Sequence, residues 1–315
     1  MSQPILTTID LRKSFGELEA VRGISFHVLQ GEIFSLLGPN GAGKTTTISM
    51  LSGLLAPSSG TATLDGHDIG RDLLAAKKII GVVPQEVALY DELTGRQNLS
   101  FWGQMYDMGG KALKQRIEEV LEIAGLAERA NDRVQTYSGG MKRRLNIAAG
   151  LLHRPKILFM DEPTVGIDPQ SRRRILDTVK ELRDQGMTVL YTTHYMEEAQ
   201  ELSDRVGIID HGQLIALGTQ KELTRLVGEQ ESLKLHPAEG YDSAALAQLF
   251  GDVPGVLAAG PLNGEVILTV EEAEAALPGV ITAANQADVR IRSIDIREPD
   301  LEAVFLHLTG RALRN

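Results

Sequence analysis

The chain of 315 residues contains no cysteine, which excludes disulfides and thiolate metal sites. It also has no stretch near the roughly 18 consecutive apolar residues that a membrane-spanning helix requires. Its longest apolar runs, such as Ile157-Leu158-Phe159-Met160, have only the length of buried strands. The start, Met1-Ser2-Gln3-Pro4, lacks a basic segment followed by an apolar core, so no secretory signal is expected. Basic residues are in deficit, 32 Lys and Arg against 42 Asp and Glu, giving a formal net charge of −10. A nucleic-acid binder normally carries a basic face, so no nucleic-acid partner is expected. The run Arg172-Arg173-Arg174 falls on a predicted helix and reads as solvated or paired. What is present suits a soluble globular protein of the cytoplasm: 43% apolar and 23% charged residues. The length allows one large domain and a small one.

Near-continuous apolar strands alternating with helices predict an α/β core around a buried parallel sheet. Strands are expected at Ile5–Leu11, Gly23–Val28, Glu32–Leu37, Gly60–Leu64, Gly81–Val83, Ile157–Met160 and Thr188–Thr192. Helices are expected from Gly43 to about Leu54 and from Gln170 to Asp184. From Leu93 to Ala149 the pattern turns helical; Leu113, Ile117, Val120, Leu121 and Ala124 recur at helical spacing. The reading is therefore a large domain over residues 1–227 with an inserted helical sub-domain at about 86–150. Beyond the polar junction Glu229-Gln230-Glu231, residues 228–315 read as a small α+β domain. Its predicted β-α-β-β-α-β order is consistent with a ferredoxin-like appendage, followed by a helix over Leu301–Leu308.

Gly38-Pro39-Asn40-Gly41-Ala42-Gly43-Lys44-Thr45 fits G-x-x-x-x-G-K-[ST] between an apolar strand and a helix. The glycines let successive N–H groups face one concavity with no Cβ in the way of phosphates. The helix that starts there adds its positive end. Lys44 supplies a point charge to the β- and γ-phosphates, the Thr45 hydroxyl is placed for Mg²⁺, and Thr46 joins the nucleotide-binding set. The motif by itself means a P-loop NTPase, with kinases and GTPases still open. About 120 residues on, the strand Ile157–Met160 ends in Asp161-Glu162. Asp161 would hold Mg²⁺ or its waters, and Glu162 could polarise the attacking water as general base.

Between these lies Tyr137-Ser138-Gly139-Gly140-Met141, followed by Lys142-Arg143-Arg144-Leu145. Ser138, Gly139 and Gly140 offer a hydroxyl and N–H groups at a helix start, suited to a γ-phosphate. With the acid pair about twenty residues later, this order resembles the ATP-binding cassette family over roughly residues 5 to 225. The resemblance implies further roles. Phe15 looks like the aromatic that stacks on adenine, and Gln85 like the glutamine that senses Mg²⁺ and links the site to a membrane partner. Asp168 resembles the acidic residue that signals between two cassettes, and His194 the histidine that contacts the γ-phosphate. Tyr137 and Met141 stand where the family more often has Leu and Gln, while the Ser-Gly-Gly core is kept. That variant, with Thr164–Pro169 and the tail Glu298–Arg311, looks like the subgroup serving two-component exporters, drug-resistance exporters of the daunorubicin type being the nearest likeness.

The resemblance implies an ATPase that works as a pair of copies facing head to tail, Ser138 of one acting on ATP held by Lys44 of the other. It implies a separate integral-membrane permease, attachment to the inner face of the cell membrane, and export of drug-like or lipid cargo. Tyr90, Phe101, Trp102 and Tyr106 follow Gln85 and could line a groove for a permease helix. The alternative is a soluble cassette ATPase acting on ribosomes or DNA. Against it stand the single cassette, the absence of a long coiled-coil insertion and the acidic balance.

Overall fold

The computed structural model describes residues 3–227, 231–238, 240–262, 265–297 and 300–309. The chain divides into two compact units, one ending at Thr219 and the other beginning at Gln220.

The first unit holds strands β1 (Pro4–Phe15), β2 (Leu18–Leu29), β3 (Ile33–Leu37), β4 (Ser59–Leu64), β5 (His67–Asp68), β6 (Ile80–Val83), β7 (Ile157–Asp161), β8 (Thr188–Thr193), β9 (Arg205–Asp210) and β10 (Gln213–Gly218). Its helices are α1 (Lys44–Leu51), α2 (Leu73–Ile79), α3 (Gly95–Met105), α4 (Gly110–Ile123), α5 (Gly139–Leu151), α6 (Pro169–Asp184) and α7 (Met196–Leu202). The central sheet runs β10-β9-β3-β8-β7-β6, parallel except for β10. Every residue of β3, β7 and β8 is buried, as expected for strands covered on both faces. A second, antiparallel sheet, β2-β1-β4-β5, takes the strands predicted before and after the Gly-rich turn. Those strands alternate buried and exposed residues over part of their length, the pattern of a sheet with one solvated face.

The helical stretch resolves into α3, α4 and α5. α3 is started by a reciprocal capping box between Thr94 and Gln97. α4 buries Leu113, Ile117, Val120 and Leu121 on one face. α6 starts with Asp168 as N-cap and Pro169 in the first turn, and buries Ile175, Leu176, Val179 and Leu182. α1 stops three residues before the expected Leu54: Gly53 takes a left-handed φ of 68° there, and a Cβ on it would lie 2.1 Å from Leu73 Cδ1. The strands β9 and β10 and the short helices α2 and α7 had no counterpart in the sequence reading.

The second unit contains α8 (Gln220–Thr224), β11 (Glu231–Pro237), α9 (Ser243–Gly251), β12 (Val256–Leu262), β13 (Glu265–Val270), α10 (Ala273–Gln286), β14 (Ile291–Arg297) and α11 (Leu301–Thr309). Its sheet order is β12-β13-β11-β14, antiparallel throughout, the split βαβ arrangement. α8 packs with α11, which is why the division falls ahead of the polar junction. Leu301, Val304 and Phe305 of α11 are fully buried. Glu229 and Gln230 of the junction, and Glu298, Pro299, Gly310 and Arg311 of the tail, lie outside the described residues.

Candidate functional site

The carboxyl ends of β3, β8 and β7 stand side by side: Leu37 is paired with Thr193, and Asp161 with Thr192. In open parallel sheets this end is where ligands bind. β3 runs into the Gly38–Gly43 turn and then α1. Gly38 is forced by space: a Cβ there would lie 2.1 Å from the Ile209 carbonyl oxygen. Gly43 is forced by both space and angle, with φ at 105° and a built Cβ 2.7 Å from the Ala20 carbonyl oxygen. Gly43 ends the turn without a side-chain cap, so the first amides of α1 have no side-chain acceptor. Lys44 is buried, and its Nζ donates to the carbonyls of Gly38 at 2.7 Å and Pro39 at 2.9 Å. Its charge is met by Glu162 Oε1 at 2.9 Å. Asn40, Gly41 and Thr45 are exposed, Pro39 and Thr46 half-buried, and Ala42 buried.

Asp161 and Glu162 are both buried. Asp161 Oδ1 accepts the Thr192 hydroxyl at 2.6 Å. Glu162 has a left-handed φ of 43°, unfavourable for a side chain with a Cβ. It is held so by its own N–H, which donates to the Thr192 hydroxyl at 3.0 Å and the Thr192 carbonyl at 3.2 Å. His194 follows β8; its Nδ1 lies 3.3 Å from Glu162 Oε2 but outside hydrogen-bond geometry, and it is buried with no hydrogen-bond partner among the described residues. Lys44, Asp161, Glu162 and His194 thus form one cluster.

Ser138, Gly139, Gly140 and Asp168 form another. The Ser138 hydroxyl caps α5 by accepting from Met141 N at 3.2 Å, and Asp168 caps α6 by accepting from Ser171 N at 2.9 Å. That Ser171 amide holds the Asp168 carboxyl below its ordinary range. A Cβ at Gly140 would lie 2.1 Å from Ser171 Oγ, so the two helix starts are in contact and glycine is what permits it. Among the described residues, no hydrogen bond or ion pair joins this cluster to the first. Gln85 is exposed after β6; its carbonyl accepts from Arg143 Nη2 at 2.5 Å, and the Pro84 carbonyl accepts from Nη1 at 2.6 Å. Phe15 is 47% exposed at the end of β1, with Lys13 Nζ 5.2 Å from its ring centre.

These features suit a nucleoside triphosphate. The turn is a cradle that side chains at Gly38 and Gly43 would fill, Lys44 has a charge to offer, and His194 Nδ1 is an orphaned buried polar atom. Among the described residues no group of three or more His, Asp or Glu could hold a metal ion. Any divalent ion would therefore be shared with phosphate oxygens, the usual habit of Mg²⁺. Three supporting residues had no signature in the sequence. Thr192 ties Asp161 to Glu162, Arg143 pins the backbone at Gln85, and Glu198 is a buried carboxylate that accepts the hydroxyl of Thr193, the residue before His194. Each looks ordinary in sequence because its role depends on which strand or loop lies alongside.

Near Gln85 a groove of about 530 Å³ is lined by Leu54, Lys77, Pro84, Ala88, Trp102 and Tyr106, among others. Trp102 Nε1 donates to the Ala88 carbonyl at 3.1 Å. Tyr90 and Phe101 do not line it; they pack edge-to-face on each other, and Phe101 packs likewise on Trp102.

Residues 21–165 match the family described as ABC transporter. The chain is 47% identical to the linearmycin resistance ATP-binding protein LnrL of Bacillus subtilis strain 168, over 99% of this chain and 100% of that one. It is 39% identical to the daunorubicin resistance ATP-binding protein DrrA3 of Streptomyces coeruleorubidus, over 98% and 97% of the two chains. It is also 39% identical to the Nod factor export ATP-binding protein I of Ralstonia nicotianae, over 100% and 96%. Among solved structures, cbiO1 of Clostridium perfringens, part of the ABC transporter complex cbiONQ, aligns with a TM-score of 0.64 at 28% identity, over 71% of this chain and 94% of that one. The ATP-binding cassette MJ0796, a dimer in a post-hydrolysis state with ADP and Pi, aligns at 0.61 and 27% identity, over 68% and 98%. With relatives this similar along nearly its whole length, and a phosphate loop set against an acid pair at the strand ends, the chain belongs to the ABC transporter family as an ATP-binding, ATP-hydrolysing subunit.

Proposed function

We propose that this chain binds MgATP at the ends of β3, β7 and β8, hydrolyses it when a second copy closes over the site, and drives a separate membrane permease. The observation that supports this reading is the separation of the site residues into two clusters. One has charges for phosphate and water chemistry around Lys44; the other, around Ser138, has two helix starts in contact and the Asp168 carboxylate but no cation. A site split in this way is completed by a second copy.

Lys44 would exchange its ion pair with Glu162 for the terminal phosphates, as charge-assisted bonds of the same type. The first amides of α1 would hold the β-phosphate. Thr45, Asp161 and Gln85 are the groups on hand for Mg²⁺, which would offset the charge of the phosphate oxygens. Glu162, released from Lys44, would take the proton of the attacking water. His194 Nδ1 would meet the γ-phosphate, and Phe15 the adenine. Ser138, Gly139 and Gly140 would bring the positive start of α5 to the ATP of the second copy, with Asp168 beside them. γ-Phosphate contacts exist in one state only, which is what a ligand-driven switch needs.

We assign nucleotide binding to residues 1–227, with the helical sub-domain at about 86–150, and an accessory role to residues 228–315. The groove beside Gln85 is the docking place we assign to the permease, which would hold the chain at the inner face of the cell membrane. Export of drug-like or lipid cargo is supported by the linearmycin, daunorubicin and Nod factor relatives. The direct test is Lys44→Ala. ATP turnover should fall at least about a hundredfold, on the scale of losing a main electrostatic stabiliser, and affinity for a fluorescent ATP analogue should weaken at least about tenfold. Unchanged turnover in the folded variant would remove the phosphate loop from the mechanism.

A further inference from the structure

Glu198 is 2% exposed, and none of the roles above uses it. Its two oxygens are engaged by four groups from three parts of the chain. Oε1 accepts the Thr164 hydroxyl at 2.6 Å and lies 3.6 Å from Arg172 Nε. Oε2 accepts the hydroxyls of Tyr191 at 3.0 Å and Thr193 at 2.8 Å. An isolated buried carboxylate is costly, so one this enclosed persists only if charge and hydrogen bonds answer it. Burial keeps the Tyr191 phenol protonated far above its ordinary range, so it remains a donor.

The places these groups come from are what give the cluster meaning. Thr164 lies in the loop between Glu162 and Asp168, and Arg172 in the first turns of the helix that Asp168 caps. Thr193 immediately precedes His194, and its hydroxyl also accepts from Tyr195 N at 2.9 Å. The Arg172 guanidinium lies 4.3 Å over the Tyr195 ring, whose centre is 4.2 Å from that of His194. Two routes therefore run from Glu198 to His194, one through Thr193 and one through Arg172 and Tyr195. A third route runs to the Asp168 loop through Thr164.

We propose that Glu198 is a positioning residue that ties the His194 end of β8 to the Glu162–Asp168 loop, so that closure felt at Asp168 reaches His194 as the shift of one rigid unit. The proposal rests on the nucleotide reading of the site. Glu198 touches neither the phosphate loop nor the water in that reading; it acts through His194.

The experiment compares full-length wild type, Glu198→Ala, Glu198→Gln, Thr164→Val and Lys44→Ala, measuring ATP turnover and the dissociation constant for a fluorescent ATP analogue. Glu198→Ala should lose at least about tenfold in turnover while its affinity stays within about twofold, because Lys44 and α1 are untouched. Glu198→Gln, which keeps the shape and the polar atoms, should recover turnover to within about threefold of wild type. Thr164→Val, losing one hydroxyl, should fall in between. The proposal is overturned by a folded Glu198→Ala with near wild-type turnover, or by parallel loss of affinity and turnover that glutamine does not rescue. If Glu198→Ala does not fold, a folded Thr164→Val at wild-type turnover overturns it. Turnover by Lys44→Ala equal to wild type would instead overturn the nucleotide reading.

Discussion

His153 follows α5, with Nε2 2.8 Å from the Ile80 carbonyl oxygen and its ring stacked on Tyr106 at 3.9 Å and 11°. A carbonyl can only accept, so Nε2 carries the proton and Nδ1, buried with no partner among the described residues, is bare. Burial lowers the His153 pKa below its ordinary 6.5, because a second proton would place a charge where nothing answers it. The unfolded chain therefore binds more protons than the folded one below that value. The contribution is intact above pH 6.5 and is lost as pH falls from there toward the folded pKa. We predict that the melting temperature of wild type drops more than that of His153→Phe between about pH 7 and pH 5.5. Identical slopes would mean that folding does not change the proton affinity of His153. At this scale the motif residues were legible in the sequence, because phosphate chemistry demands particular residue types at Gly38, Gly43 and Lys44. Thr192, Arg143 and Glu198 were not, since a threonine on a strand or a glutamate in a helix is unremarked until its neighbours are known.

α3 shows what an element adds. Its Trp102 is half-buried, bonded to the Ala88 carbonyl and set in the wall of the groove beside Gln85. Arg143 pins the Pro84 and Gln85 carbonyls to α5, the helix that Ser138 starts, so the groove wall and the Ser-Gly-Gly segment are braced together. Trp102→Ala should abolish co-purification of the permease and leave ATP affinity within about twofold, as for a central aromatic anchor. Joint loss of docking and binding would point to collapse of the sub-domain instead. The elements most legible in sequence were β3, β7 and β8, whose fully buried runs leave little choice but a covered parallel strand. α2 and α7 are seven residues each, too short for a period to show. β10 is half-buried along most of its length and so lacks both alternation and a continuous apolar run. Tyr90 and Phe101 show the limit of reading aromatics by type: they brace Trp102 rather than face the groove.

For the whole molecule, the proposal that a second copy completes the site is open to a direct test. Glu162→Gln removes the base and the charge that competes with phosphate for Lys44, while keeping the side chain's shape. In saturating ATP this variant should elute as a stable dimer and hydrolyse at least about a hundredfold more slowly than wild type. A variant that turns over at the original rate would remove Glu162 as the base, and one that remains monomeric in ATP would count against closure by a second copy. Among the described residues, no helix is long and apolar enough to cross a membrane. The order of strands also governs how the chain comes into being. β8 lies between β3 and β7, and Gly38 rests against Ile209. The sheet that joins the phosphate loop near residue 40 to its acid pair is therefore incomplete until synthesis has passed the end of β8, residue 193 of 315. Until then a nascent chain has the loop but no pocket, and long-range parallel pairing of this kind forms slowly. Nucleotide then stabilises only chains whose central sheet is complete. Bound nucleotide would thereby act as a seal on correct assembly, since a finished subunit would resist proteolysis better than an incomplete one.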